Sequence, residues 1–129
     1  MEKTLKYANP AGRVLISAMF VMAGLTKIGG YAGTQAYMES QGVPGMLLPL
    51  VILLETGGGL AVIVGWQTRI FAFLLAGFCL LAALVFHLDF GDQMQSILFM
   101  KNLGLAGGFL FLVANGAGAL SLDGRRAAA

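Results

Sequence analysis

Four long apolar runs dominate the chain and restrict what it can fold into. They cover roughly Pro10–Ile28, Met46–Gly65, Arg69–Leu88 and Ile97–Asn115. A helix needs about 20 consecutive apolar residues to cross the hydrocarbon core of a bilayer, and each run is close to that length. The runs therefore predict an all-α polytopic membrane protein, a four-transmembrane-helix bundle in which residues 1–129 form a single domain.

The composition supports a lipid environment. Hydrophobic residues make up 58% of the 129 residues and charged residues 11%, whereas soluble domains carry about 25% charged residues. A chain of this length cannot bury so much apolar side chain in its own interior. A net charge of +2 without a basic stripe argues against nucleic acid as a partner. The single cysteine, Cys79, lies in an apolar run and is expected to be a small buried hydrophobe.

The connections between the runs carry their own signals. Within the polar link after the first run, Thr34–Gln41 can form two turns of interfacial helix, with Tyr31 and Tyr37 at the level of the lipid headgroups. In the short turn after the second run, Gly65 is expected to end one helix and Thr68 to cap the next.

The positions of lysine and arginine predict the orientation in the membrane. Two of these residues, Lys27 and Lys101, belong to one side, whose loops also carry the acidic residues Glu39, Asp89 and Asp92. Six belong to the other side, namely Lys3, Lys6, Arg13, Arg69, Arg125 and Arg126. Because positive charge accumulates on the cytoplasmic side, we expect both termini to lie in the cytoplasm.

Helical spacing places ionisable and small residues on common faces. One stripe on the first helix consists of Arg13, Ser17, Phe20, Gly24 and Lys27. The corresponding stripe on the third helix consists of Arg69, Phe73, Ala76, Leu80, Ala83 and His87. Small residues that permit close helix packing are expected on two further ridges, Gly57, Ala61 and Gly65, and Gly104 and Gly108.

The run "VILLETGGGLAVIVG" contains one charged residue, Glu55, near its middle. A charge inside the membrane costs about 2.5–3.5 kcal/mol, so such residues usually face the bundle interior and pair with one another. We predict an intramembrane polar cluster made of Glu55, Lys101, Asn102, His87 and Lys27, with an ion pair between Glu55 and Lys101. A purely architectural role for that pair is the alternative. No second histidine accompanies His87, so no metal site is predicted.

A second cluster of charges is expected at the cytoplasmic side. Arg13 and Arg69 lie at helix starts, and Asp123 is the acidic residue of the tail. The carboxylate of Asp123 is predicted to fold back to one of the two guanidinium groups. The alternative for both arginines is that they extend to the lipid headgroups. For His87 of the intramembrane cluster, the alternative is a structural residue held by a hydrogen bond.

Three segments occur in order along the chain: "RVLISAMFVMAGLTKIGG", "LETGGGLAVIVGWQTR" and "KNLGLAGGFLFLVANGAGALSLD". Together with a histidine near the end of the third run, they resemble the DoxX family of small bacterial membrane proteins. The resemblance is closest to the YphA-type inner-membrane branch of that family. The resemblance covers roughly residues 10–123. It implies a four-helix membrane fold and a loose association with respiratory or oxidative-stress complexes. Haem ligand pairs, cysteine pairs and a nucleotide-binding loop are absent from the sequence.

Three functions are compatible with these observations. The first is a non-catalytic membrane subunit or organiser that presents a polar pocket to a quinone headgroup or to a redox enzyme. The second is a small proton-linked carrier that uses Glu55 and works as a homo-oligomer. The third, a stand-alone enzyme, has the least support. Beyond a quinone, no cofactor is implied.

Overall fold

The computed structural model describes residues 2–128. Within that range the chain is entirely helical apart from turns and links, and four helices are long and apolar enough to cross a membrane. We call them the first to fourth spans: Ala8–Gly29, Gly45–Val64, Thr68–Phe86 and Gln93–Asn115. The prediction of an all-α bundle with four transmembrane helices is confirmed. Three shorter helices are Glu2–Leu5, an interfacial helix Tyr31–Ser40 and a tail helix Leu122–Ala128. We call the side of the interfacial helix the distal side.

The second span is irregular at its centre. It consists of a 3₁₀ turn Gly45–Leu47, an α-helix Leu48–Leu53, a π-helical turn Leu54–Gly58 and an α-helix Gly59–Val64. The segment "LETGG" thus forms the π-helical turn, a rare geometry that is frequent at functional sites. It holds Glu55 on the inner side of the bundle, where the residue is 3% exposed.

The buried face of the first span agrees with the predicted stripe. Its buried residues are Arg13, Ser17, Phe20 and Gly24. Gly24 lies directly against Thr56 of the second span, and a Cβ added at Gly59 would come within 2.9 Å of Val21. The first and second spans therefore approach each other closely at two glycines.

The predicted face of the third span is confirmed only in part: Ala76 and Ala83 are buried, but the larger residues of the stripe are not. Phe73 and Leu80 are 61% and 41% exposed, so they face away from the bundle. The buried face instead carries mainly small residues, Thr68, Ala72, Leu75, Ala76, Cys79 and Ala83. Small side chains let the fourth span pack along the third span, which is the most extensive helix contact in the bundle. Cys79 is fully buried, as predicted.

The fourth span has little contact with the first. The two meet where Phe20 packs edge-on against Phe109, with ring centroids 5.4 Å apart, and where Gly108 faces Ile16. Of the other predicted glycines, Gly65 packs closely against Ala117 of the tail segment. The predicted contacts of Gly104 and Gly57 are wrong: among the described residues a Cβ added at Gly104 would meet no atom within 4 Å, and one at Gly57 would meet only Leu53 of its own span.

Two helix starts differ from the prediction. The fourth span begins at Gln93 rather than Ile97, because the Asp92 side chain caps it by accepting a hydrogen bond from the Met94 amide at 3.0 Å. Gly65 ends the second span in the left-handed conformation (φ 75°), as expected. Thr68 does not cap the third span with its side chain, since Gln67 (φ 47°) occupies the cap position.

Candidate functional site

A cavity of about 510 Å³ lies between the four spans on the distal side, below the interfacial helix. Its wall contains all five residues of the predicted polar cluster, Lys27, Glu55, His87, Lys101 and Asn102. The rest of the wall is mainly apolar and includes Phe20, Phe78 and Leu105. The structure thus brings the polar residues of the membrane interior to one space.

Glu55 pairs with Lys27, and the predicted ion pair with Lys101 is wrong. The Nζ atom of Lys27 lies 2.7 Å from Oε1 of Glu55. Oε1 accepts no hydrogen bond of standard geometry, so we treat the contact as an ion pair rather than an aligned hydrogen bond. The close approach of the first and second spans at Gly24, one turn before Lys27, brings the lysine beside Glu55. The fourth span packs on the third and leaves Lys101 further away.

Lys101 remains an unpaired cation in the cavity wall. Within residues 2–128 its ammonium group makes no ion pair and no recorded hydrogen bond. Because the fourth span starts at Gln93, Lys101 lies about two helical turns, roughly 12 Å, from that start. Lys101 therefore lies deeper in the span than predicted, because the predicted span began at Ile97, only one helical turn before it. The residue is exposed in the structure as well as being part of the cavity wall.

The two remaining polar residues of the cluster, Asn102 and His87, form hydrogen bonds with residues of the fourth span. Asn102 donates to the backbone carbonyl of Leu98 at 3.0 Å. Nδ1 of His87 lies 2.7 Å from Oε1 of Gln95, so His87 is hydrogen-bonded, in line with its alternative structural reading. Gln95 was missed in the sequence because the predicted span began after it, although a glutamine beside an apolar run was the available signal.

The interfacial helix closes part of the cavity, which the sequence did not predict. Thr34, Tyr37 and Met38 belong to its wall, and the Tyr37 ring stacks on Phe86 with centroids 5.5 Å apart. Tyr37 was expected only at headgroup level. The cavity wall therefore combines apolar side chains with a few polar ones, a composition that suits an amphipathic ligand.

At the opposite side, Arg13 joins three parts of the chain. The residue is 1% exposed. Its guanidinium donates to the carbonyls of Val62 at 3.2 Å and Ile63 at 2.8 Å, and to Leu120 at 2.5 Å. Carbonyl groups at the end of a helix lack partners within that helix, so Arg13 satisfies the end of the second span and holds the tail.

Asp123 caps the third span instead of pairing with an arginine. Its carboxylate accepts hydrogen bonds from the amides of Gln67 at 2.9 Å and Thr68 at 2.8 Å. In the described part of the chain neither Arg13 nor Arg69 forms a direct ion pair with Asp123. Asp123 does fold back toward Arg13, because their charges are close enough to interact. Arg69 is exposed and lies against Gly116. The free amide groups at the start of a helix carry partial positive charge and therefore attract a carboxylate.

The hydrogen bonds also change the acidity of Asp123. Burial by itself raises the pKa of this carboxyl group, but hydrogen bonds from Thr68 and Gln67 and the charge of Arg126 lower it. The lowering effects prevail, so the pKa of Asp123 lies below its ordinary value.

Comparison with known proteins agrees with this architecture. The DoxX family model matches residues 9–88. Inner membrane protein YqjF of Escherichia coli (strain K12) is 56% identical over 123 residues, 95% of either chain. Inner membrane protein YphA of the same organism is 34% identical over 120 residues, 88% of this chain and 86% of YphA. Of these two, YqjF has the higher identity.

A more distant relative is the putative oxidoreductase CatD of Bacillus subtilis (strain 168), 32% identical over 76 residues, which are 59% of this chain and 57% of CatD. No solved structure matches the chain. The family match, the two full-length relatives and the four apolar helices together show that this chain is a multi-pass inner-membrane protein that belongs to the DoxX family.

Proposed function

We propose that this protein is a non-catalytic subunit or organiser of a membrane redox system that holds a quinone headgroup in the intramembrane cavity. The observation that carries the proposal is the cavity of about 510 Å³, whose mainly apolar wall contains a few polar and charged side chains. Pockets for small ligands have volumes of about 300–1,000 Å³ and combine apolar walls with a few convergent polar groups.

The polar groups are suited to the two oxygen atoms of a quinone. The ammonium of Lys101 has three N–H donors and no partner among the described residues, so it can donate to a carbonyl oxygen. The second carboxylate oxygen of Glu55 makes no recorded hydrogen bond and can accept one from the hydroxyl group of the reduced quinol. The apolar part of the wall would hold the ring substituents and the start of the tail.

A subunit role fits the residue inventory better than independent catalysis. The sequence contains one histidine and one cysteine, which cannot form the ligand pairs that hold haem or the four thiolates of an iron–sulfur cluster. An electron carrier would therefore come from a partner protein. The name of one relative, a putative oxidoreductase, supports a redox association of the family.

The first test is chemical analysis of the purified protein. We expect quinone to co-purify with the wild-type chain in mild detergent, and Lys101→Met to lower its amount about tenfold, which corresponds to one lost charged hydrogen bond. Lys6→Met is the matched control, because Lys6 is exposed and lies over the Tyr7 ring, away from the cavity. A wild-type protein without quinone, even after addition of an excess, would contradict the proposal.

A proton-linked carrier is the second candidate, since Glu55, the buried carboxylate of the bundle, belongs to the cavity wall. In this function Glu55 alternates between the ion pair with Lys27 and a protonated form. Proton flux into liposomes that contain the purified protein tests it. The carrier function requires flux above that of empty liposomes and its loss in Glu55→Gln.

We further propose that both ends of the chain lie in the cytoplasm, with the cavity in the outer half of the bilayer. The excess of arginine and lysine on the side of Arg13 and the tail helix supports this orientation. Reporter fusions at residue 129 and near residue 92 should report opposite sides, the former cytoplasmic. Reports from a single side would refute the topology.

A further inference from the structure

We propose that the cavity prefers a ligand whose headgroup carries an ionised oxygen, and that Lys101 is its counter-ion. The inference rests on the quinone site proposed above and specifies its ligand class as acidic quinones, whose ring bears an ionised hydroxyl group. It follows from the charges that the fold places in the cavity.

The charges of the cavity wall do not cancel. Lys27 and Glu55 neutralise each other at 2.7 Å. Lys101 remains without a carboxylate, and the only other ionisable residue of the wall besides Tyr37 is His87, which is hydrogen-bonded to Gln95. The wall therefore has at least one uncompensated positive charge, that of Lys101.

The uncompensated charge of Lys101, about two helical turns inside the fourth span, would be stabilised by an anion. Ionisable residues in spans pair with each other, with backbone carbonyls or with a ligand. Among the described residues, Lys101 pairs neither with an ionisable side chain nor with a backbone carbonyl. Its position in the cavity wall makes it available to a ligand. A neutral quinone would accept a hydrogen bond from Lys101 and leave its charge in place, whereas an ionised oxygen would also neutralise it.

The arrangement of the first and fourth spans would let a ligand reach Lys101 from the membrane. The first and fourth spans have few backbone contacts, and the Phe20–Phe109 contact closes the gap between them on the inner side of the cavity. On the distal side of that contact, Lys27 of the first span and Lys101 of the fourth span are both in the wall. An amphiphile that enters through this gap would bring its headgroup to Lys101.

A matched pair of ligands tests the proposal. The probes are a 2-hydroxy-1,4-naphthoquinone with a 3-alkyl chain, which is ionised at neutral pH, and its 2-methoxy analogue, which is not. Binding is measured by calorimetry on the full chain in a non-ionic detergent, which removes phospholipid phosphate as a competing anion. We expect the ionised probe to bind the wild type at least tenfold more tightly, and Lys101→Met to abolish this preference.

The control variant Lys6→Met should retain the preference. Circular dichroism checks that Lys101→Met is folded, and Lys101→Arg, which keeps the charge, should retain a preference of several-fold. Equal binding of the two probes to the wild type would overturn this inference and leave the quinone site intact. Binding of neither probe would refute the quinone site itself. A preference that survives in Lys101→Met would assign the counter-ion to another residue and overturn the inference.

Discussion

Replacing Lys27 by methionine should destabilise the protein more than replacing any other lysine of the bundle. The substitution leaves the carboxylate of Glu55, whose side chain is 4% exposed, without its cation. Removal of one partner of a buried ion pair costs about 3–5 kcal/mol, because the other charge is left uncompensated. Since Glu55 can take up a proton instead, we expect a loss near the lower end, about 3 kcal/mol.

The reverse substitution should cost less. In Glu55→Gln the stranded charge is Lys27, whose side chain is already 27% exposed and can extend toward the distal surface. We expect a loss of about 1 kcal/mol for this variant. The double variant should lose less than the sum of the single losses, with a coupling energy of about 2 kcal/mol.

The assay is reversible unfolding in mixed micelles of increasing denaturing detergent, followed by circular dichroism. Lys101→Met is the matched control and should change the free energy of unfolding by less than about 1 kcal/mol, because Lys101 has no protein partner in the described chain. Equal losses for Lys27→Met and Lys101→Met, or additive losses in the Lys27–Glu55 double variant, would refute the assignment of Lys27 as the partner.

Four further substitutions test other parts of the structure. Arg13→Lys should lower the free energy of unfolding by about 3 kcal/mol, because an ammonium cannot reproduce the guanidinium contacts with Val62, Ile63 and Leu120, and detergent unfolding measures the loss. Gly24→Ala should cost about 1–3 kcal/mol by forcing a Cβ against Thr56, while Gly77→Ala, with no neighbour within 4 Å, should be neutral or stabilising in the same assay. Asp123 has a lowered pKa in the folded state, so its stabilisation is complete above its unfolded pKa of about 3.9 and is lost as the pH falls through the folded pKa. Proteolysis of the tail should therefore increase on acidification in the wild type, and Asp123→Asn should be susceptible at all pH values; a tail equally protected in both would contradict the cap.

Hydrophobic pattern was sufficient for the number of spans and for the inner face of the first span. Arg13, Ser17, Phe20 and Gly24 recur at helical spacing, and all four are buried. The third span shows the limit of such a pattern. The stripe through Phe73 and Leu80 and the stripe through Ala72 and Cys79 have similar spacing, and only the space available for the fourth span decides that the smaller residues face inward.

The partner of Glu55 could not be predicted for a related reason. Periodicity assigns a residue to a face of its helix, but it does not say which helix that face meets. The close approach of Gly24 to Thr56 places Lys27 beside Glu55. The role of Asp123 was also hidden, because the amides of Gln67 and Thr68 that it caps are far away in the sequence and leave no local signal in the tail.

Photolabelling tests the central claim, that the cavity is a quinone site, most directly. An azido-substituted quinone would be irradiated with the purified protein, with and without excess unlabelled quinone, and the labelled residues mapped by mass spectrometry. The account predicts competable labelling of cavity-wall residues such as Met19, Val51 and Leu98. It predicts no competable labelling of outward-facing residues such as Phe73 and Phe111, which are 61% and 72% exposed. Labelling confined to the outward residues, or labelling that unlabelled quinone does not reduce, would contradict it.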